Sequence, residues 1–397
     1  IEDKTIKKIL NENELSQKEI SDNEIIDIQG MVLSPGFIDL QLNGCGGVLF
    51  NDDTSENALK IMNETNKKFG CTSFLPTLIT SPDNKILNAL EVLKNIDNPE
   101  EIGVLGLHIE GPYISVEKKG IHRPEYIRIL SDEIIQKIAD SGKEITRLIT
   151  IAPEKAKIEH LKTLRKAGIK INMGHSNATY DQCLEKKEYY DGGTHLYNAM
   201  SPLESRNPGL VGFLFNDNEL SAGIIVDGFH SEFSAVEIAK KIMKNRLYLI
   251  TDAVSPAGTT DMKEFMFEGN RVLYQNGKCI SPEGTLGGSA LVMIDGVNIK
   301  EYSYDDLLSK FTFVFQDVYL FRDTIYNNIK FGNETASKEE IIKAAKMAGA
   351  YDFIVKKENG FETMIGEGGS TLSGGERQRI SIARAILKDA PIILLDE

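Results

Sequence analysis

Residues 104–112 read Val104-Leu-Gly-Leu-His-Ile-Glu-Gly-Pro112, an apolar run that ends at a carboxylate and a Gly-Pro turn. Similar short runs, each followed closely by Gly, Pro, Ser or Asn, recur at residues 36–42, 148–151, 169–173, 222–226 and 247–250. Helical stretches separate them, and this alternation predicts an α/β fold built from βα units around a parallel sheet. The span of residues 31–293 fits the roughly 250 residues of a (β/α)8 TIM barrel. A doubly wound sheet is the alternative.

The segments on either side of the barrel have a different pattern. Residues 1–30 contain short strand-like pieces between polar turns and predict a fragmentary small β domain. After Met293 come an amphipathic helix or pair of helices at 338–357, a Gly-rich loop, a helix at 375–388 and an apolar strand at 391–395. We therefore expect three domains, at residues 1–30, 31–293 and 294–397.

The composition narrows the classes of function. Hydrophobic residues make up 41% of the chain. The formal net charge is -14, and this acidic balance argues against a nucleic-acid-binding surface. The four cysteines form no C-x-x-C pair, so neither a zinc knuckle nor a disulfide framework is indicated. The sequence has no apolar run long enough to span a membrane. The expected location is the cytoplasm.

Histidines are few and unevenly placed. Five of the six lie in short segments at or just after apolar runs: His108, His122, His175, His195 and His230. The sixth, His160, lies in Ile158-Glu-His-Leu-Lys162 and is predicted to be a surface helix residue. A single such histidine is usually structural. Five together favour a functional rim, because the strand ends of a barrel carry its chemistry.

Three of these strand ends offer metal ligands. Glu110, His175 and His195 supply one carboxylate and two imidazoles, which leave a coordination position open as in catalytic zinc sites. Asp252 follows the run at 247–250 and would bring a further carboxylate to the rim. It is either an N-cap of the next helix or a general base for an attacking water.

The motifs around these residues resemble one family, the N-acetylglucosamine-6-phosphate deacetylases of the amidohydrolase superfamily. The resemblance extends over about residues 5–293 and rests on motifs in the family's order: Pro35-Gly-Phe-Ile-Asp-Leu-Gln-Leu-Asn-Gly-Cys-Gly-Gly47, Leu107-His-Ile-Glu-Gly-Pro112, Gly174-His-Ser-Asn-Ala-Thr179, Thr194-His-Leu-Tyr-Asn-Ala-Met200, Val226-Asp-Gly-Phe-His230, Thr251-Asp-Ala253 and Gly284-Thr-Leu-Gly-Gly-Ser-Ala290.

The resemblance implies a role for each site residue. A metal would be held by Glu110, His175 and His195, with Asp252 as the acid and base of the reaction. His122 would polarise the acetyl carbonyl and contact the sugar. The phosphate would be bound by His230, Asn198, Ala199 and Arg206, the arginine reaching across from the neighbouring subunit of a homodimer.

The resemblance also bears on the number of metals. Gln41 and Asn43 stand where many amidohydrolases have a His-x-His pair, so we expect one divalent metal, zinc or iron. Another amidohydrolase activity is the runner-up. A dihydroorotase-like activity is disfavoured, since it calls for His-x-His and a bridging lysine, and neither is apparent.

Residues from about 294 to 397 resemble part of the nucleotide-binding domain of an ATP-binding cassette (ABC) exporter. The matching pieces include Phe313-Val-Phe-Gln-Asp317, Leu372-Ser-Gly-Gly-Glu-Arg-Gln378 and Ile392-Ile-Leu-Leu-Asp-Glu397. The resemblance implies nucleotide-related roles for Gln316, Ser373, Gly374, Gly375, Asp396 and Glu397.

The phosphate-binding sequence G-x-x-x-x-G-K-[ST] occurs nowhere in the chain, so we predict that this part is inactive. Two alternatives to the deacetylase remain open. One is an ABC transporter ATPase module, which would have a membrane transporter partner only if the ABC part were intact. The other is an inactive chimera.

Overall fold

The computed structural model describes residues 36–291, 293–294, 297–298, 311–314, 320–333, 335–366, 369, 371–388 and 392–395. The small β domain predicted at residues 1–30 lies outside the described residues. Contacts divide the chain into two units, Ile1–Leu291 and Val292–Glu397.

Eight parallel strands form the sheet of the first unit, in the order of the sequence. They are β1 Phe37–Leu42, β2 Cys71–Ile79, β3 Leu107–Glu110, β4 Thr146–Thr150, β5 Lys170–Met173, β6 Gly192–Gly193, β7 Ser221–Ile225 and β8 Leu247–Ile250. A parallel bridge between Leu42 and Ala253 brings the end of β8 to the end of β1, so the sheet closes on itself. The predicted (β/α)8 barrel is confirmed, and the doubly wound alternative is wrong because its sheet is open.

One α-helix follows each of the first seven strands: α1 Glu56–Lys67, α2 Asp83–Lys94, α3 Asp132–Ile145, α4 Ile158–Lys166, α5 Tyr180–Glu185, α6 Gly209–Asn216 and α7 Phe233–Met243. Side chains fix several of their starts. Ser55 accepts from the Ala58 N–H at α1, and Thr179 forms a capping box with Gln182 at α5. Such caps satisfy amide groups that a helix start leaves without partners.

Apolar side chains fill the space between strands and helices. Phe74 of β2, Leu161 of α4 and Leu214 of α6 are all fully buried. Burying a side chain of this size contributes about 1.5–3 kcal/mol. This interior holds the strand ends, and therefore the rim, in a fixed arrangement.

After β8 the described residues form a four-stranded antiparallel sheet that the sequence analysis did not predict. Its strands are β9 Glu264–Phe267, β10 Asn270–Gln275, β11 Lys278–Ile280 and β12 Leu286–Ser289. Its apolar face, with Phe265, Phe267 and Val272, packs in one cluster with Ile79 from the end of β2. The sheet therefore covers part of the barrel rim.

The second unit has its own small core. Its strands are β13 Met293–Ile294, β14 Val297–Asn298, β15 Phe311–Val314 and β16 Ile392–Leu395, and its helices are α8 Ile325–Lys330, α9 Lys338–Met347, α10 Tyr351–Ile354 and α11 Gly374–Lys388. The helix pair predicted at 338–357 and the helix predicted at 375–388 are confirmed. The strand predicted at 391–395 is β16, and it pairs in parallel with β15.

Among the described residues, no helix combines the length and the apolar character that crossing a bilayer requires.

Candidate active site

A cavity of about 420 Å³ opens at the carboxyl ends of the barrel strands. Nearly all of the site residues expected from the sequence line it: Glu110, His122, His175, His195, Asn198, Ala199, His230 and Asp252. Arg206 is the exception. It is exposed and does not line the cavity of its own chain.

Three side chains converge at the floor of the cavity. Oε1 of Glu110 lies 2.9 Å from Nε2 of His195 and 3.3 Å from Nε2 of His175, and the two nitrogens are 3.0 Å apart. Burial raises the pKa of Glu110, but hydrogen bonds and charges of the two histidines outweigh it and hold the pKa well below its ordinary value. Glu110 is therefore an ionised carboxylate.

The donor set fits a divalent metal. The carbonyl oxygen of Lys118 only accepts, so His175 donates to it from Nδ1 over 2.8 Å, and its Nε2 is left as a lone-pair ligand. That Nε2 faces a carboxylate and a second imidazole nitrogen, an arrangement that a shared cation stabilises. One carboxylate and two imidazoles also match the ligand types of catalytic zinc sites.

The backbone at the rim is strained where these side chains project. His175, His195 and Asp252 have φ values of 47°, 35° and 49°, in the left-handed region that residues other than glycine rarely adopt. Such conformations cost about 1–3 kcal/mol each and cluster at functional sites. The strained backbone conformations therefore occur at three of the residues that the sequence analysis assigned to the site.

His122 lies next to this group. Its Nε2 is 4.0 Å from Oε2 of Glu110, and its ring is 4.3 Å from that of His175. Glu110, His122 and His175 offer ligand atoms within 4.8 Å of one another, so His122 is a rival third ligand. The shorter distances favour His195. Nδ1 of His122 is engaged by the Thr80 hydroxyl at 2.7 Å.

Asp252 faces the three converging side chains. Its N–H donates to the Gln41 carbonyl and its own carbonyl accepts from the Ser289 N–H, at 2.9 and 2.8 Å. Burial and the charge of Glu110 raise its pKa to about 6, while His195, His230 and the Asn43 amide lower it. A carboxyl group whose pKa lies near neutral pH is suited to both accepting and donating a proton.

Gln41 and Asn43 turn amide N–H groups toward the carboxylates. Nε2 of Gln41 donates to Glu110 Oε1 at 2.9 Å and to Asp252 Oδ1 at 3.0 Å, and Nδ2 of Asn43 donates to Asp252 Oδ1 at 2.6 Å. These amide N–H groups lie beside the carboxylates, in the space where a second cation would otherwise neutralise the carboxylate charges.

His230 is held by a carboxylate. Its Nδ1 is 2.6 Å from Oδ2 of Asp227, whose Oδ1 accepts from the N–H groups of Phe229 and His230. Burial opposes ionisation of Asp227, but the hydrogen bond and charge of His230 hold its pKa below the ordinary value. The free Nε2 edge of His230 is left for the cavity.

The amidohydrolase family model matches residues 32–299, more than half of the chain. This chain belongs to the amidohydrolase family. The ABC transporter family model matches residues 278–397, so the two matches overlap at residues 278–299.

Among curated relatives, the N-acetylglucosamine-6-phosphate deacetylase of Haemophilus influenzae is 46% identical, over 70% of this chain and 73% of its own. The N-acetylgalactosamine-6-phosphate deacetylase of a Shewanella species is 38% identical, over 67% of each chain. Among solved structures, the N-acetylglucosamine-6-phosphate deacetylase of Pasteurella multocida is 44% identical with a TM-score of 0.64, over 72% of this chain and 76% of that one.

Two histidines of this amidohydrolase are not where the sequence analysis placed them. His160 was expected at the surface, but it is buried, bonds Asp132 at 2.8 Å and meets the Tyr113 ring edge-on. That expectation is wrong because α4 turns this side chain toward α3. His108 is fully buried below the cavity, and burial lowers its pKa to about 4 despite the charge of Glu110.

Sequence reasoning also missed residues that hold the amidohydrolase site. Asp39 is buried and accepts from both the N–H and the hydroxyl of Thr251, directly before Asp252. Lys118 and the apolar side chains of Ile79, Ile121 and Phe267 line the cavity. No local motif distinguishes these residues, although Asp39 lies within the motif at 35–47.

The ABC-like residues of the second unit are only partly described. Ser373 caps α11 together with Glu376, and Ser373, Gly374 and Gly375 are exposed at its start. A Cβ at Gly374 or Gly375 would meet no atom of the described residues closer than 3.6 Å, so none of those residues requires glycine there. Gln316, Asp396 and Glu397 lie outside the described residues.

Proposed function

We propose that this chain hydrolyses the N-acetyl group of N-acetylglucosamine 6-phosphate and releases acetate and glucosamine 6-phosphate. The observation that carries the proposal is the convergence of Glu110, His175 and His195 opposite Asp252 in one cavity. It is supported by the 46% identity to the Haemophilus influenzae deacetylase.

The reaction needs a nucleophilic water and a protonated leaving group. We propose that Glu110, His175 and His195 hold one divalent metal, zinc or iron, which when bound supplies Lewis-acid polarisation of the carbonyl and lowers the pKa of water. Asp252 accepts the proton of the water and delivers it to the departing amine nitrogen. In this proposal Nδ1 of His122 accepts from the Thr80 hydroxyl, and Nε2 donates to the acetyl oxygen.

The apolar part of the cavity suits the acetyl methyl group. Ile79, Ile121 and Phe267 form an apolar patch in the same cavity as the converging ligands. Removing a methyl group from water against such a surface is favourable by about 0.8 kcal/mol. The methyl group is therefore proposed to lie against this patch, with the carbonyl toward His122.

Phosphate binding is assigned to His230 and to the other polar groups that line the cavity. His230 can donate to a phosphate oxygen only when both ring nitrogens carry protons, and the Asp227 carboxylate neutralises the resulting charge. Asn198 and Ala199 line the same cavity. Because Arg206 is exposed outside its own cavity, we propose that it enters the cavity of a second subunit in a homodimer.

A dianionic sugar phosphate does not cross a bilayer unaided, so we propose that the enzyme acts in the cytoplasm. The second unit is proposed to take no part in the reaction.

The test is acetate release by purified chain loaded with zinc or iron, with the Asp252→Asn variant as matched control. Because one relative is named for the galactosamine isomer, both N-acetylhexosamine 6-phosphates are assayed. We expect turnover of the glucosamine compound that the control lacks. A wild-type chain that binds metal and releases no acetate from the glucosamine compound would overturn the proposal. A preference for the galactosamine compound would reassign the substrate.

A further inference from the structure

His108 is the one histidine of the predicted rim that does not line the cavity. It lies two residues before Glu110 on β3, so both side chains point to the inside of the barrel, with His108 one layer deeper. It is fully buried, yet both ring nitrogens are engaged. A buried polar ring of this kind is costly unless its hydrogen bonds are satisfied.

A chain of hydrogen bonds runs through His108 across the barrel. The hydroxyl of Thr77 on β2 lies 3.3 Å from Nδ1, and Nε2 lies 2.8 Å from the hydroxyl of Thr150 on β4. That hydroxyl is 2.7 Å from the hydroxyl of Thr194, which follows β6. All four side chains are buried.

The direction of this hydrogen-bond chain depends on the tautomer of His108. The Thr77 hydroxyl oxygen accepts from the Leu42 N–H, and its own proton can point either to the Leu75 carbonyl at 3.4 Å or to Nδ1 of His108 at 3.3 Å. If the proton points to His108, then His108 donates from Nε2 to Thr150 and Thr150 donates to Thr194; if it points to Leu75, Thr194 donates to Thr150, Thr150 to Nε2 and His108 from Nδ1 to Thr77. In either direction Thr150 gives one proton and receives one, so the loss of its hydroxyl removes a partner from both His108 and Thr194 in a buried place.

The far end of this chain touches the segments that carry both histidine ligands. Thr194 directly precedes His195. A Cβ at Gly174, which directly precedes His175, would come within 2.7 Å of the Thr150 methyl and 3.0 Å of Thr194 Cβ. The two threonines thus lie against the backbone of both ligands, whose positive φ values require support from their surroundings.

We propose that His108 is a positioning residue that, through Thr150 and Thr194, holds His175 and His195 with their Nε2 atoms turned to Glu110. The inference rests on the proposed metal site and adds to it four buried side chains that do not line the cavity. Outer groups that orient metal ligands typically change metal affinity by about 10–100-fold.

The test measures zinc affinity by competition with a chelator, in wild type, Thr150→Val and His108→Leu. Thr150→Val is nearly isosteric and removes only the central hydroxyl. We expect each variant to bind zinc about 10–100-fold more weakly. The double variant should bind zinc only slightly more weakly than either single variant. Once the hydrogen-bond chain is broken at one member, a second break has no further coupling to remove.

His160→Gln is the matched control, a buried histidine that hydrogen-bonds Asp132 away from the cavity. It is expected to lower thermal stability and leave zinc affinity unchanged. Wild-type affinity in Thr150→Val, or full additivity in the double variant, would overturn the inference and leave the metal site standing. Weakened affinity in His160→Gln equal to that of Thr150→Val would also overturn it, by showing that general loosening suffices. A wild-type chain that binds no zinc would overturn the metal site and this inference together.

Discussion

The amide of Asn43 donates to Oδ1 of Asp252 over 2.6 Å, and Gln41 donates to the same oxygen over 3.0 Å. In the part of the chain that the structure describes, no hydrogen bond is recorded to the other carboxylate oxygen, Oδ2. The two amides therefore fix the orientation of Asp252 through one oxygen and leave the other available to a reacting proton.

The first prediction concerns Asp252→Asn. The amide oxygen can keep the bonds to Asn43 and Gln41, so the variant should fold and bind metal. An amide neither accepts the proton of water nor delivers one to the amine, so turnover should fall by about 10²–10⁴-fold. Steady-state kinetics and metal content of the same sample check this. Near-normal turnover in a folded, metal-loaded variant would remove Asp252 from the mechanism.

The second prediction concerns metal content. The described donor set offers one carboxylate and two imidazoles, while Gln41 and Asn43 turn N–H groups toward the neighbouring carboxylates. Elemental analysis should find one zinc or iron per chain, and Glu110→Ala combined with His195→Ala should abolish it. Two ions per chain would contradict the proposed single site.

The third prediction concerns phosphate. His230→Ala and Arg206→Ala should weaken use of the phosphorylated sugar much more than use of N-acetylglucosamine, because charge-assisted bonds select for the dianion. Comparing kcat/KM for the two sugars checks this. Equal losses for both would assign these residues another role.

Arg206 offers a sharper test, because it lies outside its own cavity. Mixing Arg206→Ala with Asp252→Asn subunits should give hybrid dimers in which the pocket with an intact Asp252 receives an intact Arg206. Activity above the sum of the two separate variants is expected. No recovery after verified subunit exchange would argue against an arginine supplied by the partner.

The fourth prediction concerns Asp39 and pH. Burial, and to a smaller extent Asp252, raise the pKa of Asp39 to about 6, although hydrogen bonds from Thr251 and Gln41 lower it. Because the folded pKa lies above the ordinary 3.8, the stability gained by a neutral Asp39 is full below about pH 4 and is lost as the pH rises through about 6.

The free energy of unfolding of wild type relative to Asp39→Asn should therefore fall between pH 4 and 7, by on the order of 3 kcal/mol at about 1.4 kcal/mol per pKa unit. Denaturant titrations at each pH measure it, and exposed Asp140→Asn is the control. A relative stability that rises with pH would contradict the assignment.

The fifth prediction concerns ATP. The chain has no G-x-x-x-x-G-K-[ST] sequence, so the backbone loop and lysine that grip the β- and γ-phosphates are missing. We expect no ATP hydrolysis and no saturable micromolar binding of a radiolabelled ATP analogue. Saturable binding that disappears in a Glu397→Gln/Gln316→Ala variant would support the ATPase alternative instead.

The barrel and the residue types of its site could be predicted from the amino-acid sequence alone. Six apolar runs separated by helical stretches corresponded to six of the eight strands, since strands buried on both faces leave a continuous apolar signal. The two others carried no such signal. Strand β2 contains Pro76 and two threonines, and β6 is only two residues long.

The depth of each side chain in the barrel could not be predicted from the sequence and depends on how the strands pack together. His108 and Glu110 are two residues apart and point the same way, yet one is a buried member of a hydrogen-bond chain and the other faces the cavity. Their depth depends on the register between neighbouring strands, in which Thr77 lies beside His108 and Ile79 beside Glu110. Register is a long-range property, because it is set by pairing and packing between strands about thirty residues apart in the sequence, beyond the reach of local patterns.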